Sequence, residues 1–246
     1  MKQFVKTIQV TIKGILYWLR PHLYLSFLSK PALLFHNVIQ MSKWIQKNKQ
    51  ANILDDFFTF KRDHQKRYEL YDYILKAKGL DQVECDYIEL GVYQGQSFKW
   101  WVEHNTHPNS RFYGFDTFEG LPEDWGLHFK KGSMNAVSIP SIQDDRAQFI
   151  KGLFQDTIPG FLQETPLNNG KRKIIHFDAD LFSSTLYGLG MLSVYLKPGD
   201  IVLFDEFNVP NSEFYALKMF EDSYYREFKL IAAVNNYYQI AMEVVK

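Results

Sequence analysis

Four acidic residues stand directly after two short apolar runs of the chain. They are Asp178 and Asp180 after residues 174–177, and Asp205 and Glu206 after residues 201–204. If both runs are neighbouring strands of a parallel sheet, these carboxylates meet at one sheet edge. They then repel one another unless a cation lies among them. Because carboxylate oxygens suit Mg²⁺, we predict that this ion lies among the four acids.

Removal of a proton from an acceptor hydroxyl is the chemistry that fits such a site. A hydroxyl beside a divalent metal ion loses its proton more readily, and a neighbouring carboxylate can accept it. We predict that Asp180 is this base, with Asp178 beside it in the catalytic set. An alternative stays open, in which Asp180 caps a helix and Glu206 is a solvated strand end.

A glycine-containing turn follows an earlier apolar run at residues 86–90. Its Gly-x-x-x-Gly spacing differs from the Gly-x-Gly-x-x-Gly fingerprint that wraps a pyrophosphate. Glycine permits a tight turn, and the helix that opens after it presents free N–H groups. Glu89 would repel a diphosphate there, but it suits the ammonium group of a methionine moiety. The predicted cofactor contacts of this turn are Glu89, Gly91, Val92, Tyr93, Gly95 and Ser97.

Asp116 ends the next apolar run and lies 25 residues beyond Gly91. An acid at about this distance from a glycine turn can accept both hydroxyls of a ribose. We therefore predict that Asp116, Thr117 and Phe118 bind the cofactor, with Asp178 at its border. Together with a C-terminal hairpin, the two features favour a nucleoside cofactor, although an ordinary strand–helix turn and a helix cap remain the alternatives. Glu89 and the hairpin indicate that this cofactor is S-adenosyl-L-methionine.

Alternating strand and helix patterns must position these residues. Predicted strands cover residues 86–90, 111–116, 149–154, 173–177 and 200–204, followed by a hairpin of residues 229–233 and 237–245. Helices are predicted near residues 67–78, 95–103, 159–163, 184–196 and 212–225, with a long loop over 117–145. This order predicts an α/β fold: a Rossmann-like, doubly wound, mostly parallel sheet with a C-terminal antiparallel hairpin.

Composition and charge divide the chain into two predicted parts. The chain is 46% hydrophobic and 17% aromatic, which is enough for a sizeable core. Residues 1–54 contain eight Lys/Arg and no acid, whereas residues 55–246 have a net charge of −8. We predict a basic helical extension over residues 1–60 and a catalytic domain over 61–246. The extension is interpreted as a lid, a contact in a homo-oligomer, or a peripheral contact with a membrane surface.

Location and partners follow from the same counts. The zero formal net charge argues against a nucleic-acid partner. One cysteine, Cys85, excludes an intrachain disulfide and fits a cytoplasmic protein, peripheral at most to the inner face of a membrane. Residues 14–28 are too interrupted, by Arg20 and Pro21 among others, to form a membrane span.

Five motifs in order over residues 85–210 resemble those of the macrocin (TylF/NovP-like) O-methyltransferases. They are Glu89-x-Gly91, residues 115–122, residues 152–157, residues 178–185, and residues 198–200 together with Asp205-Glu206. The resemblance implies a class I methyltransferase that uses Mg²⁺ and methylates hydroxyls on sugars of secondary metabolites or glycans. It implies ribose binding by Asp116 and metal binding by Asp178, Asp205 and Glu206. The family usually has Gly where Ala179 stands, and commonly Asp at position 206.

Three functions of a different class fit parts of the same sequence. Asp178-Ala179-Asp180 is also an Asp-x-Asp motif, which could hold a nucleotide sugar in a metal-dependent glycosyltransferase. An NAD-dependent sugar oxidoreductase is the second of these functions, and a non-catalytic binding domain is the third. His128, in the long loop, is a second candidate base, whereas His176 is expected to be a core residue.

Overall fold

One eight-stranded sheet organises the chain in a computed structural model, which describes residues 1–126 and 128–246. The strands are β1 Leu54–Asp55, β2 Cys85–Leu90, β3 Arg111–Asp116, β4 Ala147–Lys151, β5 Arg172–Phe177, β6 Ile201–Phe204, β7 Phe228–Val234 and β8 Gln239–Val244. The helices are α1 Lys2–Trp18, α2 His22–Asn48, α3 Lys66–Lys78, α4 Gln96–His104, α5 Phe154–Glu164, α6 Phe182–Leu192 and α7 Glu213–Tyr224.

The strand order is β1-β7-β8-β6-β5-β2-β3-β4, and β8 alone runs antiparallel to its neighbours. The predicted mostly parallel sheet with a C-terminal hairpin is therefore confirmed. The predicted neighbours are also found, because β5 lies between β6 and β2. This arrangement brings the carboxyl ends of β2, β3, β5 and β6 to one edge of the sheet.

Two apolar layers cover the sheet. Every residue of β2 is buried, which is typical of a parallel strand with helices on both faces. Tyr87 packs into the layer that contains α3 and α4. Its neighbour Ile88 packs into the opposite layer, with α5, α6, α7 and the end of α2. The site edge thus rests on a rigid sheet.

The N-terminal segment joins the sheet domain only after residue 36. Residues 1–36 are all exposed, and α2 buries only Asn37, Met41 and Trp44. The Trp44 ring lies 4.9 Å from that of Phe207. Leu54–Asp55 then adds an edge strand beside β7, which the sequence patterns did not predict. The domain boundary at residue 60 stays a prediction. Among the described residues, no helix has both the length and the hydropathy needed to cross a membrane.

The predicted element boundaries around Pro159 were wrong. The strand predicted over 149–154 is Ala147–Lys151, and α5 begins at Phe154, so Pro159 lies inside it. Proline cannot donate to the carbonyl four residues earlier, and here the Tyr187 hydroxyl lies 3.5 Å from that Gln155 carbonyl. Pro31 likewise lies within α2. The hairpin turn occupies residues 235–238, one to two residues later than predicted.

Candidate active site

A cleft of about 1050 Å³ opens at the carboxyl edge of the sheet. Ligand sites in α/β sheets lie at this edge, and the volume suits a nucleoside cofactor with part of an acceptor. The predicted residues that line it are Gly91, Tyr93, Asp116, Thr117, Asp178, Asp180 and Glu206. Arg62, His64 and Arg67, which precede or begin α3, complete the wall and were not predicted.

Gly91 lies where the loop after β2 packs against the loop after β5. Its N–H donates to the Phe115 carbonyl at 2.9 Å, and its φ is +93°. A Cβ at this position would lie 1.9 Å from the Asp178 carbonyl oxygen. Glycine is therefore required for the backbone packing of the β2 and β5 loops, in addition to any role in binding.

Asp116 holds the glycine turn in place. Its Oδ2 accepts the N–H groups of Val92 and Tyr93, at 2.8 and 2.7 Å, and its Oδ1 accepts that of Phe118 at 2.7 Å. Asp116, Tyr93 and Thr117 all line the cleft. Val92 and Phe118 are buried, so in this structure they support the loops behind the wall.

Glu89, Gly95 and Ser97 also lie behind the cleft wall. Glu89 is fully buried and accepts hydrogen bonds from the Ser97 hydroxyl, at 2.6 Å, and from the Tyr87 hydroxyl. Gly95 caps α4 with a φ of +76°, and a Cβ there would lie 3.0 Å from the ring of Pro140. Their predicted contact with a cofactor stays a prediction, and the structure gives each of them a role in loop packing.

The four acids at the ends of β5 and β6 converge as expected. The guanidinium of Arg67 bonds to Asp205 and lies 3.9 Å from Asp178, and Asp180 and Glu206 line the same cleft as Asp178. Burial and then the charge of Asp205 raise the pKa of Asp180 to about 7. Burial and the neighbouring acids also raise the pKa of Asp178 and of Glu206 well above their usual range.

Two charged residues of this cluster were missed at the sequence level. Arg67 lies in α3, with buried residues at positions 70, 71 and 74. Glu213 opens α7, with buried residues at positions 216, 217 and 220, and its carboxylate accepts the Glu206 N–H at 2.9 Å. A charged residue at the start of an i, i+3, i+4, i+7 apolar stripe points into the core. That pattern is the signal that could have found both.

A divalent cation fits this donor set. Asp205 Oδ1 and Glu206 Oε2 are buried and have no hydrogen-bond partner. Potential ligand atoms of Asp178, Asp205 and His176 lie within 4.8 Å of one another. Both ring nitrogens of His176, however, face tyrosine hydroxyls, Nδ1 at 2.8 Å and Nε2 at 3.5 Å. The oxygen atoms of the acids are the better match to Mg²⁺.

His128 does not line the cleft in the part of the chain that the structure describes. It is exposed within the long loop, next to a bridge between Trp125 and Phe129. The loop predicted over 117–145 is otherwise irregular as described, and its Leu127 lies outside the described residues. Arg62 and His64, by contrast, line the cleft, and the Arg62 guanidinium lies 3.6 Å from the centroid of the Tyr238 ring.

The strand order and the cleft define a class: a Rossmann-like α/β fold of the class I methyltransferase type. A family model described as macrocin O-methyltransferase (TylF) matches residues 64–232, which is more than half of the chain. The chain therefore belongs to the macrocin O-methyltransferase family, as its motifs predicted. This membership does not favour the glycosyltransferase or the oxidoreductase alternative.

Three relatives illustrate the similarity. An enzyme of Streptomyces olivaceus, described as 8-demethyl-8-(2,3-dimethoxy-alpha-L-rhamnosyl)-tetracenomycin-C 4'-O-methyltransferase, is 28% identical over 166 residues, covering 58% of this chain. The match spans 61% of that enzyme's length. The structure of CalS11, calicheamicin methyltransferase, has a TM-score of 0.57 at 21% identity, covering 85% of this chain and 91% of its own. The structure of the O-methyltransferase NovP has a TM-score of 0.53 at 17% identity, covering 74% of this chain and 79% of its own. The two structures support the fold.

Proposed function

We propose that this protein is an S-adenosyl-L-methionine-dependent, Mg²⁺-assisted O-methyltransferase that acts on a hydroxyl of a sugar, a glycan or a glycosylated small molecule. One observation carries the proposal: a single cleft joins the Gly91 turn and Asp116 to the acids Asp178, Asp180 and Glu206. The family membership favours the same reaction.

The glycine-turn half of the cleft is proposed to hold the methyl donor. When bound, S-adenosyl-L-methionine supplies an electrophilic methyl group on a sulfonium sulfur. The Asp116 carboxylate already accepts three N–H groups of the loops and has about one lone pair left, on Oδ1, to accept a ribose hydroxyl. Gly91 lines the cleft, and its lack of a side chain lets the loop after β2 pack directly against the Asp178 backbone.

The acidic half of the cleft is proposed to activate the acceptor. Asp178, Asp205 and Glu206 would hold Mg²⁺, which, when bound, supplies positive charge that lowers the pKa of a nearby hydroxyl. Asp180 accepts the proton of the acceptor hydroxyl, and the oxygen of that hydroxyl attacks the methyl carbon. The products are a methyl ether and S-adenosylhomocysteine. Holding the reacting atoms in line can contribute about 7–11 kcal/mol by itself.

A relative supports a sugar as the proposed acceptor. The Streptomyces olivaceus enzyme carries a rhamnosyl group in the name of its substrate. Because several polar and charged side chains line the acidic half of the cleft, a polyol such as a sugar ring matches it better than a planar apolar ring. Nucleic acid is not proposed as a partner.

Asp180→Asn is the variant that tests the proposed base. We expect calorimetry to show micromolar binding of S-adenosyl-L-methionine by the wild type and unchanged binding by the variant. Methyl transfer to a panel of glycosides, followed by the +14 Da product (one CH₂), should fall about 100-fold or more, the size of a general-base contribution.

The matched control is Asp156→Asn, an exposed acid in the first turn of α5 outside the cleft. It should leave both binding and transfer unchanged. Full transfer by Asp180→Asn would refute its role as base. Binding of a UDP-sugar in place of S-adenosyl-L-methionine would refute the methyltransferase proposal itself.

A further inference from the structure

The first 36 residues form a surface that the rest of the chain does not cover. We name them the N-terminal arm. They comprise α1 and the first half of α2, and every one of them is exposed. The residue after the arm is Asn37, whose side-chain amide donates to Asn211 at 2.9 Å and fixes α2 to the body. The interpretation of this segment as a lid stays a prediction.

The arm is strongly apolar. Nineteen of its residues are exposed large hydrophobic side chains, and they begin with Met1 and end with Phe35. A contiguous exposed apolar patch larger than a few hundred Å² is rare on a soluble monomer and marks an interaction surface. We therefore expect this apolar surface of the arm to contact a partner.

Helix α1 separates its charges from its apolar residues. Lys2, Lys6 and Lys13 recur at intervals of four and seven residues, which places them along one side of the helix. Phe4, Ile8 and Ile15 repeat the same intervals two positions later. Two positions turn a helix by a little more than half a revolution, so the two rows lie on opposite faces.

The charge of the arm shows which occupant it fits. Residues 1–36 hold five Lys/Arg and no Asp or Glu, which gives a charge of +5 against −5 for the rest of the chain. A second copy of the arm would bring five more positive charges and no acid to pair with them. An anionic lipid surface offers negative charge and an apolar layer together.

Aromatic residues are concentrated at the break between the two helices. Tyr17 and Trp18 end α1, Arg20 has a φ of +49°, and Tyr24 lies in the first turn of α2. Such amphipathic rings are enriched where a bilayer meets water. No described helix is long and apolar enough to span the bilayer, so the arm would lie in the plane of its surface.

From these observations we propose that the N-terminal arm binds an anionic membrane surface, with α1 and the first half of α2 lying in its interface. This proposal does not depend on the enzymatic function proposed above.

Vesicle co-sedimentation of the full-length protein tests the proposal. The probes are vesicles of phosphatidylcholine alone and of phosphatidylcholine mixed with phosphatidylglycerol. We expect binding to the mixed vesicles that weakens as salt is added. The triple variant Lys2→Glu, Lys6→Glu and Lys13→Glu should bind on the order of 100-fold more weakly, since each lysine near an anionic surface contributes about a factor of five.

The matched control is Lys76→Glu, Lys229→Glu and Lys246→Glu, which makes the same charge change at exposed lysines of the body. It should bind like the wild type. Ile8→Asp should lose binding without losing the thermal transition of the body, because the arm contributes no buried residue there.

Three results would overturn the proposal. They are equal binding to neutral and anionic vesicles, no binding to either, and equal loss in the two triple variants. If the protein does not bind vesicles but forms a dimer, and Ile8→Asp dissociates that dimer, the arm pairs with a second copy instead.

Discussion

Replacing Arg67 tests the electrostatic reasoning about the acid cluster. Its guanidinium bonds to Asp205, whose side chain is only 1% exposed, and lies 3.9 Å from Asp178. Although burial lowers the pKa of Arg67, the charges of Asp205 and Asp178 raise it overall above its ordinary value, so the cation is firmly charged. Arg67 therefore occupies space between two of the carboxylates proposed to bind Mg²⁺.

Arg67→Met removes the charge and keeps a side chain of similar reach. Removing one partner of a buried ion pair costs about 3–5 kcal/mol, because the other charge is left uncompensated. For a domain of this size the thermal midpoint should fall by roughly 6–20 °C. The measurement is unfolding by urea and by heat, first in the presence of EDTA.

Mg²⁺ should restore most of the stability that Arg67→Met loses, when the same unfolding measurements are repeated in its presence. A ligand present at 100 times its dissociation constant stabilises a protein by about 2.7 kcal/mol. Mg²⁺ should stabilise Arg67→Met more than the wild type, in which the guanidinium competes for the same carboxylates. The stability of Arg67→Lys should lie between that of the wild type and that of Arg67→Met, because lysine keeps a charge but lacks the planar guanidinium.

Lys66→Met is the matched control for Arg67→Met. Lys66 is the neighbouring residue and pairs with one acid, Asp56, at 2.5 Å, outside the acid cluster. Its loss should cost less than about 1 kcal/mol and should not alter the effect of Mg²⁺. The reasoning is wrong if Arg67→Met is as stable as the wild type in EDTA, or if Mg²⁺ stabilises both proteins equally.

Two further predictions concern stability. Gly91→Ala should destabilise the fold by about 3 kcal/mol, from strain and overpacking, since its φ is +93° and a Cβ would lie 1.9 Å from the Asp178 carbonyl oxygen. Gly160→Ala, within α5 and with nothing within 4 Å of the new Cβ, should stabilise it by up to about 1 kcal/mol; equal urea midpoints for the two variants would contradict the crowding at Gly91. Burial raises the pKa of Glu221 from 4.5 to about 7. The folded chain then holds this proton more tightly than the unfolded chain, so the carboxylate costs stability as the pH rises above 4.5 and most fully above 7. Glu221→Gln should therefore gain about 1–2 kcal/mol at pH 8 and nothing at pH 4, and a gain of the same size at both pH values would argue against it.

The centre of the sheet could be predicted from the sequence because β2, β5 and β6 are buried on both faces and therefore contain short apolar runs. The runs that became β2, β3, β5 and β6 were found within one residue. Edge strand β1 was missed because Leu54–Asp55 is too short to show a period. The start of α5 was misplaced because proline favours the first helical turn, whereas Pro159 is tolerated further inside.

The candidate site was predictable where position alone decides it. Residues that follow a parallel strand must reach the carboxyl edge, which is why Asp116, Asp178 and Asp180 were found. Position in the sequence does not predict how deeply a side chain is buried behind that edge. Glu89 and Ser97 adjoin the glycine turn in sequence, yet their side chains bond to each other beneath it. Strand and loop patterns carry no information about which side of a turn such a side chain takes.

Charge balance in the cluster depends on two helices that no motif marks. Arg67 of α3 and Glu213 of α7 stand at the start of buried helical stripes, and both reach the acids at the strand ends. With Glu213 included, five carboxyl groups meet one bonded guanidinium. Arg67 can pair with Asp205 and approach Asp178, but Glu206 Oε2 still lacks a partner. A single fixed cation is therefore too little for this set of acids. An exchangeable divalent ion would supply the missing positive charge on the side of the cleft where an acceptor hydroxyl would lie.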